Sequence, residues 1–382
     1  MKIKDNLVSW YIQKVLTPKT EDLGNPGFLL TKLSSSTGEI SIREIGLPEE
    51  IFVELEKRVI DRYGEIGNQV LYSAGKKYGY SYSSVSLLPQ LKTSSSEKAF
   101  LDETYYLIMY VACSFASEIK HTIDLKLKKF EADLQDYIIC KKSGHGDIMS
   151  SGGITGIWSY MMDDPTIEGV QTTCMGRGDK KCHVVCSTPQ VLESMGLKYF
   201  VETDMPRNAF TAIYQEMNAV RPLEYAKNSL EELLSTDFWE YPQGGILEFK
   251  GEHRFFICDA HLMYFLESEL NKLPEGDKIL FEASYDFGKN LARKSGETHY
   301  QDFMMDLLPA LGYGDLLVIS EFGKFKVVSS FFPWAEYFTE LKFTLFRGIC
   351  SGMLSGFTGN KVILDKIEAS IADGYLNLVI ST

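Results

Sequence analysis

Leu71-Tyr72-Ser73-Ala74-Gly75-Lys76-Lys77-Tyr78-Gly79 returns two hundred residues later as Leu280-Phe281-Glu282-Ala283-Ser284-Tyr285-Asp286-Phe287-Gly288. Both read Leu-aromatic-x-Ala-small-x-x-aromatic-Gly, with the apolar spacing of a helix that lays an aromatic face on a core. Further on, Gly152-Gly153-Ile154-Thr155-Gly156-Ile157-Trp158-Ser159 matches Gly348-Ile349-Cys350-Ser351-Gly352-Met353-Leu354-Ser355 in the frame Gly-x-x-x-Gly-x-x-Ser. At the same offset Gly178 falls on Gly374. The two halves therefore stay in register through a glycine-bearing helix and beyond it, as an internal repeat would.

The segments before the first match agree in kind. Phe28–Leu33 and Glu39–Arg43 flank the turn Ser34–Gly38, a hairpin pattern. Pro48 then starts a helix with the stripe Ile51, Phe52, Leu55 and Val59. In the second half Ile246–Phe249 and Arg254–Ile257 flank Lys250–Glu252, followed by a helix through Leu262, Phe265 and Leu266. Each unit thus reads hairpin, helices, glycine helix, closing strand pair. The expected class is α+β, each unit an antiparallel sheet with helices packed on one side. The expected boundaries are an N-terminal extension over 1–24, a first unit over 25–189, a helical bridge over 190–243 and a second unit over 244–382. The bridge rests on helical spacing between Asn208 and Ser235, interrupted by Pro222. The two units are expected to pack on each other.

Composition bounds the function. The chain has 382 residues, more than one core usually supports. Its net charge of -13, without a dense Lys/Arg block, argues against direct nucleic-acid binding. Its longest apolar stretch, Tyr105–Ala116, is too short to span a bilayer and reads as a buried core helix; no membrane insertion is expected. Met1–Leu16 is polar and amphipathic, unlike a signal peptide, and seven unevenly spaced cysteines do not suggest a disulfide framework. A cytoplasmic location is expected. Cys113, Cys140, Cys258 and Cys350 stand in apolar surroundings, as small core residues do.

Val170 to Ser187 carries the most chemistry. Two β-prone runs flank Met175-Gly176-Arg177-Gly178-Asp179-Lys180, which brings Cys174 and Cys182 to the two sides of a turn, close enough to share a soft metal ion. Cys186 lies roughly 13 Å along the strand from Cys182, too far for one tetrahedral ion, and His183 points to the opposite face. Further ligands must come from elsewhere. The loop from Cys140 to Asp147 offers Cys, His and Asp, and His145 and Asp147 are the candidates taken with Cys174 and Cys182. Two buried thiols that merely touch are the alternative. The second half has Ser370 and Leu378 in register with the two cysteines, so the hairpin itself does not require them.

Gly152, Gly156, Ser159, Cys174, Gly178, Asp179 and Cys182, with Leu71-Tyr72, Gly75 and Gly79 upstream, resemble the 4-vinyl reductase (hydrocarbon-binding) domain family. The resemblance covers nearly all of the first unit and is weaker in the second. It implies a mixed α/β domain, related in fold to vesicle-tethering subunits, around an apolar pocket. In the family's phenol sensors a zinc ion is held by the two hairpin cysteines, a Glu shortly before the first, and an upstream Cys. Here the Glu position holds Gln171, and the upstream Cys position falls near Ile148, beside Asp147 and His145.

The glycine motifs lack the strand-loop-Lys pattern of a phosphate loop, and none of the six histidines sits in a nucleophile–base pattern. The pocket is expected beside the glycine helices, with Trp158, Gly152 and Gly156 against the ligand and Phe331, Phe332 and Trp334 nearby. The leading expectation is a non-enzymatic ligand-binding or sensory module for a small apolar or aromatic molecule, with a structural zinc. A scaffold that has lost its ligand but keeps a protein partner, and an enzyme or carrier in cofactor or lipid metabolism, are the alternatives. A sealed apolar cavity favours the first; filled cores and an exposed apolar patch favour the second.

Overall fold

The computed structural model describes residues 7–8, 10–11, 21–35, 38–86, 88–140, 145, 147–206, 225–236, 239–240, 247–249, 252–334, 341–372 and 375–382. Short β1 (Glu21–Asp22) pairs with β2 (Leu29–Ser35), which turns into β3 (Gly38–Pro48). Pro48 cannot donate to a ladder and holds φ near -76°, so the strand stops there and α1 (Glu49–Tyr63) begins. The expected stripe Ile51, Phe52, Leu55 and Val59 is fully buried. Gly64, at φ 54°, breaks α1 from α2 (Glu65–Val85). Then come α3 (Glu97–Phe115), β4 (Glu118–Asp124), β5 (Lys129–Gln135), α4 (Asp147–Met161), β6 (Glu168–Thr173), β7 (Cys182–Ser187) and α5 (Pro189–Ser194).

The expected bridge helix falls largely on residues 207–224, which lie outside the described residues. Beyond them is one short helix, α6 (Leu230–Leu234), with a capping box in which Ser229 and Glu232 satisfy each other's backbone N–H. The second half follows with β8 (Trp239–Glu240), β9 (Leu247–Phe249), β10 (His253–Asp259), α7 (His261–Leu270), α8 (Gly276–Ser295), α9 (Tyr300–Ala310), β11 (Asp315–Glu321), β12 (Lys324–Phe332), α10 (Thr344–Thr358), β13 (Lys366–Ala372) and β14 (Tyr375–Ser381). The class is α+β with antiparallel sheets. Among the described residues, no helix is long and apolar enough to cross a membrane.

The strands form three sheets. Two have four strands each, in the orders β4-β5-β7-β6 and β11-β12-β14-β13, so the last two strands of each enter in the same inverted sequence. The third has six strands, β1-β2-β3-β10-β9-β8, and takes half of them from each side of the chain. Its middle joint is β3 against β10, with Leu47 opposite Phe256, Ile45 opposite Cys258, and Glu44 opposite Asp259. Arg43, fully buried beside this joint, donates to the carbonyls of Gly27 (3.1 Å) and Gly312 (3.0 Å) and lies 4.2 Å over the Phe28 ring. The helices cross the joint as well. Arg58 of α1 pairs with Asp286 of α8 at 2.7 Å, and Lys77 of α2 pairs with Glu269 of α7 at 2.9 Å. One apolar core runs continuously from Leu29 to Ile380. A second gathers Phe100, Phe130, Trp158, Cys140, Cys174 and Cys182.

The repeated glycines set how closely helices pack. A Cβ on Gly75 would lie 2.0 Å from the Met149 carbonyl oxygen, and one on Gly156 would lie 2.0 Å from that of Lys76. So α2 and α4 touch backbone to backbone. A Cβ on Gly352 would likewise meet the Tyr285 oxygen at 2.1 Å, giving α8 and α10 the same contact. Helix α3 differs from expectation. Tyr106 is 54% exposed, while Leu107 and Ile108 turn toward an internal space.

The glycine contact makes a test. Gly156→Ala should cost about 3 kcal/mol in urea unfolding, because backbone atoms of α2 would have to retreat. Gly153→Ala meets its nearest atom only at 3.9 Å and should be neutral or stabilising, since alanine is the better helix former. Equal effects at the two positions would contradict the close packing.

Candidate functional site

Two features meet at the end of the first glycine helix. One is a thiol cluster. The Sγ atoms of Cys140, Cys174 and Cys182 all lie within 4.8 Å of one another, and all three residues are buried. The hairpin supplies two of them. Cys174 directly follows β6, Cys182 opens β7, and the turn between is a short 3-10 segment, Met175–Arg177, closed by Gly178 at φ 93°. Asp179 holds that turn by accepting the Cys174 N–H at 2.8 Å. Cys140 arrives from the segment after β5, through Ile139 at φ 73°, a strained conformation for a β-branched residue.

Each sulfur has an N–H aimed at it. Gln171 Nε2 donates to Cys140 Sγ at 3.4 Å, and Met175 N donates to Cys182 Sγ at 3.4 Å. Gly176 N donates to Cys174. Hydrogen bonds from Cys140 and Cys182 hold the Cys174 thiol far below its ordinary pKa, and the Arg177 charge helps. The sulfurs of three thiolates on one tetrahedral ion, at ~2.3 Å each, sit about 3.8 Å apart. The cluster is therefore close enough, soft enough and adequately supplied with outer hydrogen bonds to hold a metal ion.

The expected ligand set changes accordingly. Cys174 and Cys182 come together as the hairpin required. His145 and Asp147 do not join them; Cys140, which its apolar neighbours mark as a core residue, does. Asp147 is the first residue of α4 and is claimed by an ion pair with Arg177. Burial pushes its carboxyl up even so. Gln171, at the position where the resembled family has Glu, reaches the cluster through its amide. Cys186 stays apart, 3.5 Å from Thr155 Oγ1, with its thiol pushed up to about 12 by burial. His183 faces away and bonds Asp133 at 2.7 Å. Behind the hairpin, Glu168 at the start of β6 pairs with Lys76 at 2.8 Å and accepts from the Tyr72 hydroxyl at 2.6 Å, which fastens β6 to α2.

The second feature is a cavity of about 190 Å³. Helices α2, α3 and α4, strands β4 and β5, and the middle of the six-stranded sheet enclose it. Trp158, Ile154, Phe130, Ile119 and Leu107 form one region; Tyr78, Tyr82, Glu44, Cys258 and Asp259 form another. Its wall includes Tyr137, Ile138 and Ile139, the residues that lead directly into Cys140. The site therefore has a physical link: whatever fixes Cys140 fixes this wall.

Of the residues expected at a pocket, Trp158 lines the cavity. Gly152 and Gly156 do not. Their open sides are filled by the α2 backbone, and Gly153, between them, is the glycine that faces the space. Phe332 and Trp334 are fully buried and pack with Tyr313, Phe343 and Phe346, so they fill the core of the second half. Phe331 meets Phe28 edge to face instead. Glu44 and Asp259 were not legible as site residues, because only the β3–β10 pairing brings them together.

No protein-family model matches the chain, and no curated protein matches it. Among solved structures, the chain is similar to "crystal structure of the phenol-responsive sensory domain of the transcription activator PoxR with Phenol", with a TM-score of 0.32 and 14% identity over 49% of this chain and 92% of that one.

Glu44 gives the site a pH signature. Burial pushes its carboxyl up to about 8, Glu21 and Asp259 add to the rise, and the Thr31 hydroxyl opposes it. The folded chain then holds a proton that the unfolded chain releases near pH 4.3, so stability falls as pH rises from about 4.3 to 8. Glu44→Gln keeps the shape and removes the titration. At pH 8.5 it should be more stable than the parent by on the order of 2 kcal/mol, and no more stable at pH 4. A difference that does not change with pH would contradict the buried-acid account.

Proposed function

We propose that this chain is a binding module that encloses a small apolar or aromatic molecule between α2, α3 and α4, with a zinc ion at Cys140, Cys174 and Cys182 as a structural clip. The observation that carries the reading is the cavity lined by Trp158, Phe130, Ile154 and Ile119, set beside a second half whose aromatic core is filled. A concave, mostly apolar space with a few polar groups is the usual form of a small-molecule site.

Three thiolates suit zinc, which would supply binding energy to folding and no chemistry on a ligand. Held together, Cys140, Cys174 and Cys182 tie the end of β5 to the β6–β7 hairpin. Tyr137 to Ile139 are then fixed as cavity wall. The same reading treats the chain as two copies of a 4-vinyl-reductase-like domain, the second of them without the thiol cluster. Support for this comes from the shared strand order of the two four-stranded sheets and from the matched glycine contacts of α2 with α4 and α8 with α10.

Melting curves of the full chain with and without toluene test the ligand claim. The parent should gain several degrees at saturating toluene, while Ala132→Phe and Ile154→Trp, which fill the cavity, should gain none. A parent that does not respond would overturn it. Elemental analysis tests the clip. About one zinc per chain should be lost in Cys140→Ser and in Cys174→Ser and kept in His145→Ala. Zinc retained in both serine variants would sink the clip.

A further inference from the structure

The thiol cluster suits a trivalent centre better than a divalent one. Cys140, Cys174 and Cys182 are fully buried, and their Sγ atoms lie within 4.8 Å of one another. They belong to the same apolar core as Phe130, Leu134 and Val184, and Leu134 stands opposite Cys182 in the β5–β7 ladder. Three thiolates carry three negative charges. A divalent ion leaves one of them uncompensated, and zinc in a structural site takes a fourth ligand besides. A buried charge is costly unless it is paired and hydrogen-bonded. Arg177, on the hairpin turn, is already paired with Asp147. Among the described residues no other three thiols gather in this way, and Cys186 is turned to Thr155.

We propose that the three cysteines also take trivalent arsenic or antimony, delivered as the neutral hydroxide acid of either element. The exchange balances. Three thiols replace three hydroxyls: three bonds from arsenic to sulfur form, three from arsenic to oxygen break, and the thiol protons leave in three waters. Arsenic stays trivalent throughout, so no oxidant or reductant takes part. The product is uncharged and complete with three sulfurs, which is what an apolar enclosure of three thiols favours. Soft sulfur donors also select a soft, thiophilic centre over a hard one. The N–H groups of Gln171, Met175 and Gly176 keep their acceptors, because a bound sulfur retains a lone pair. The proposal rests on the reading of these cysteines as one ligand set and gives that set a second guest. Arsenic held there ties the end of β5 to the hairpin as zinc would, and so fixes the Tyr137–Ile139 wall of the cavity in the same way.

Arsenite added to the reduced full chain, with and without prior chelation, is the test. Arsenic X-ray absorption of the parent should show three sulfur neighbours and no oxygen. Affinity for arsenite, followed by native mass spectrometry, should fall at least about tenfold in Cys140→Ser, Cys174→Ser and Cys182→Ser, since each removes one of three attachment points, and should stay within about twofold in Cys186→Ser. The absorption measurement needs only the parent, so it decides the matter even where a serine variant does not fold. Two sulfurs with an oxygen, no arsenic retained by the parent, or parental affinity in Cys140→Ser would overturn the proposal. Zinc counted in the same preparation before arsenite is added separates the two readings. Zinc present with arsenite unbound overturns the arsenic site and leaves the clip standing. Arsenic on three sulfurs in a chain that carries no zinc supports the arsenic site and removes the zinc clip.

Discussion

The antiparallel pairing of β3 with β10 is the constraint on which the rest depends. Each of these strands belongs to a short hairpin, and a two-stranded hairpin alone is marginal in water. Joined edge to edge, they become the centre of a six-stranded sheet, and each covers the other's open edge. Gly46 lets Leu311 close against the joint: a Cβ there would sit 2.5 Å from a Leu311 methyl. The buried Arg43 then ties the joint to Gly27 on one side and Gly312 on the other. The cavity depends on this pairing directly, because Phe256 to Asp259, with Leu262 beyond them, close a space whose other walls come from the first half.

The two halves use the same helix contact to different ends. In both, glycines let a long helix and a short one meet at the backbone, as Gly156 does on α2 and Gly352 on α8. In the second half the room beside that contact is taken by Tyr313, Phe332, Trp334, Phe343 and Phe346. In the first half the corresponding helix turns Gly153, Ile154 and Ile157 toward open space. The thiol cluster lies only on the open side. A wall next to a cavity has fewer packing partners than one in a filled core, and a cross-link there compensates for contacts that the guest's space removes.

Much of the architecture was legible locally. Hairpins, the Pro48 helix start and the cysteine turn follow from short-range rules, and the structure places them within a few residues of expectation. What depended on distant pairing was not legible. Cys140 follows the apolar run Tyr137–Ile139 and reads as a core residue, while its loop offers Cys, His and Asp alike; the left-handed backbone at Ile139 leads it to the hairpin, which sequence spacing does not single out. Asp147 was a candidate ligand as a donor of the loop that starts at Cys140, yet Arg177 of the cysteine hairpin captures it. Gly152 and Gly156 looked like pocket glycines because glycine permits any close approach. What approaches them is a helix, and the sequence does not say which neighbour will. Tyr105–Ala116 reads as a buried core helix, but Leu107, Ile108 and Phe115 line the cavity instead of filling a core.

The claim that the two halves are one body, joined at β3–β10, is tested most directly by native-state hydrogen exchange. The amides of Glu44–Leu47 and Phe255–Asp259 should exchange only through global unfolding, with the same opening free energy for both strands. Exchange of one strand through a lower-energy opening, while the other keeps full protection, would contradict the account.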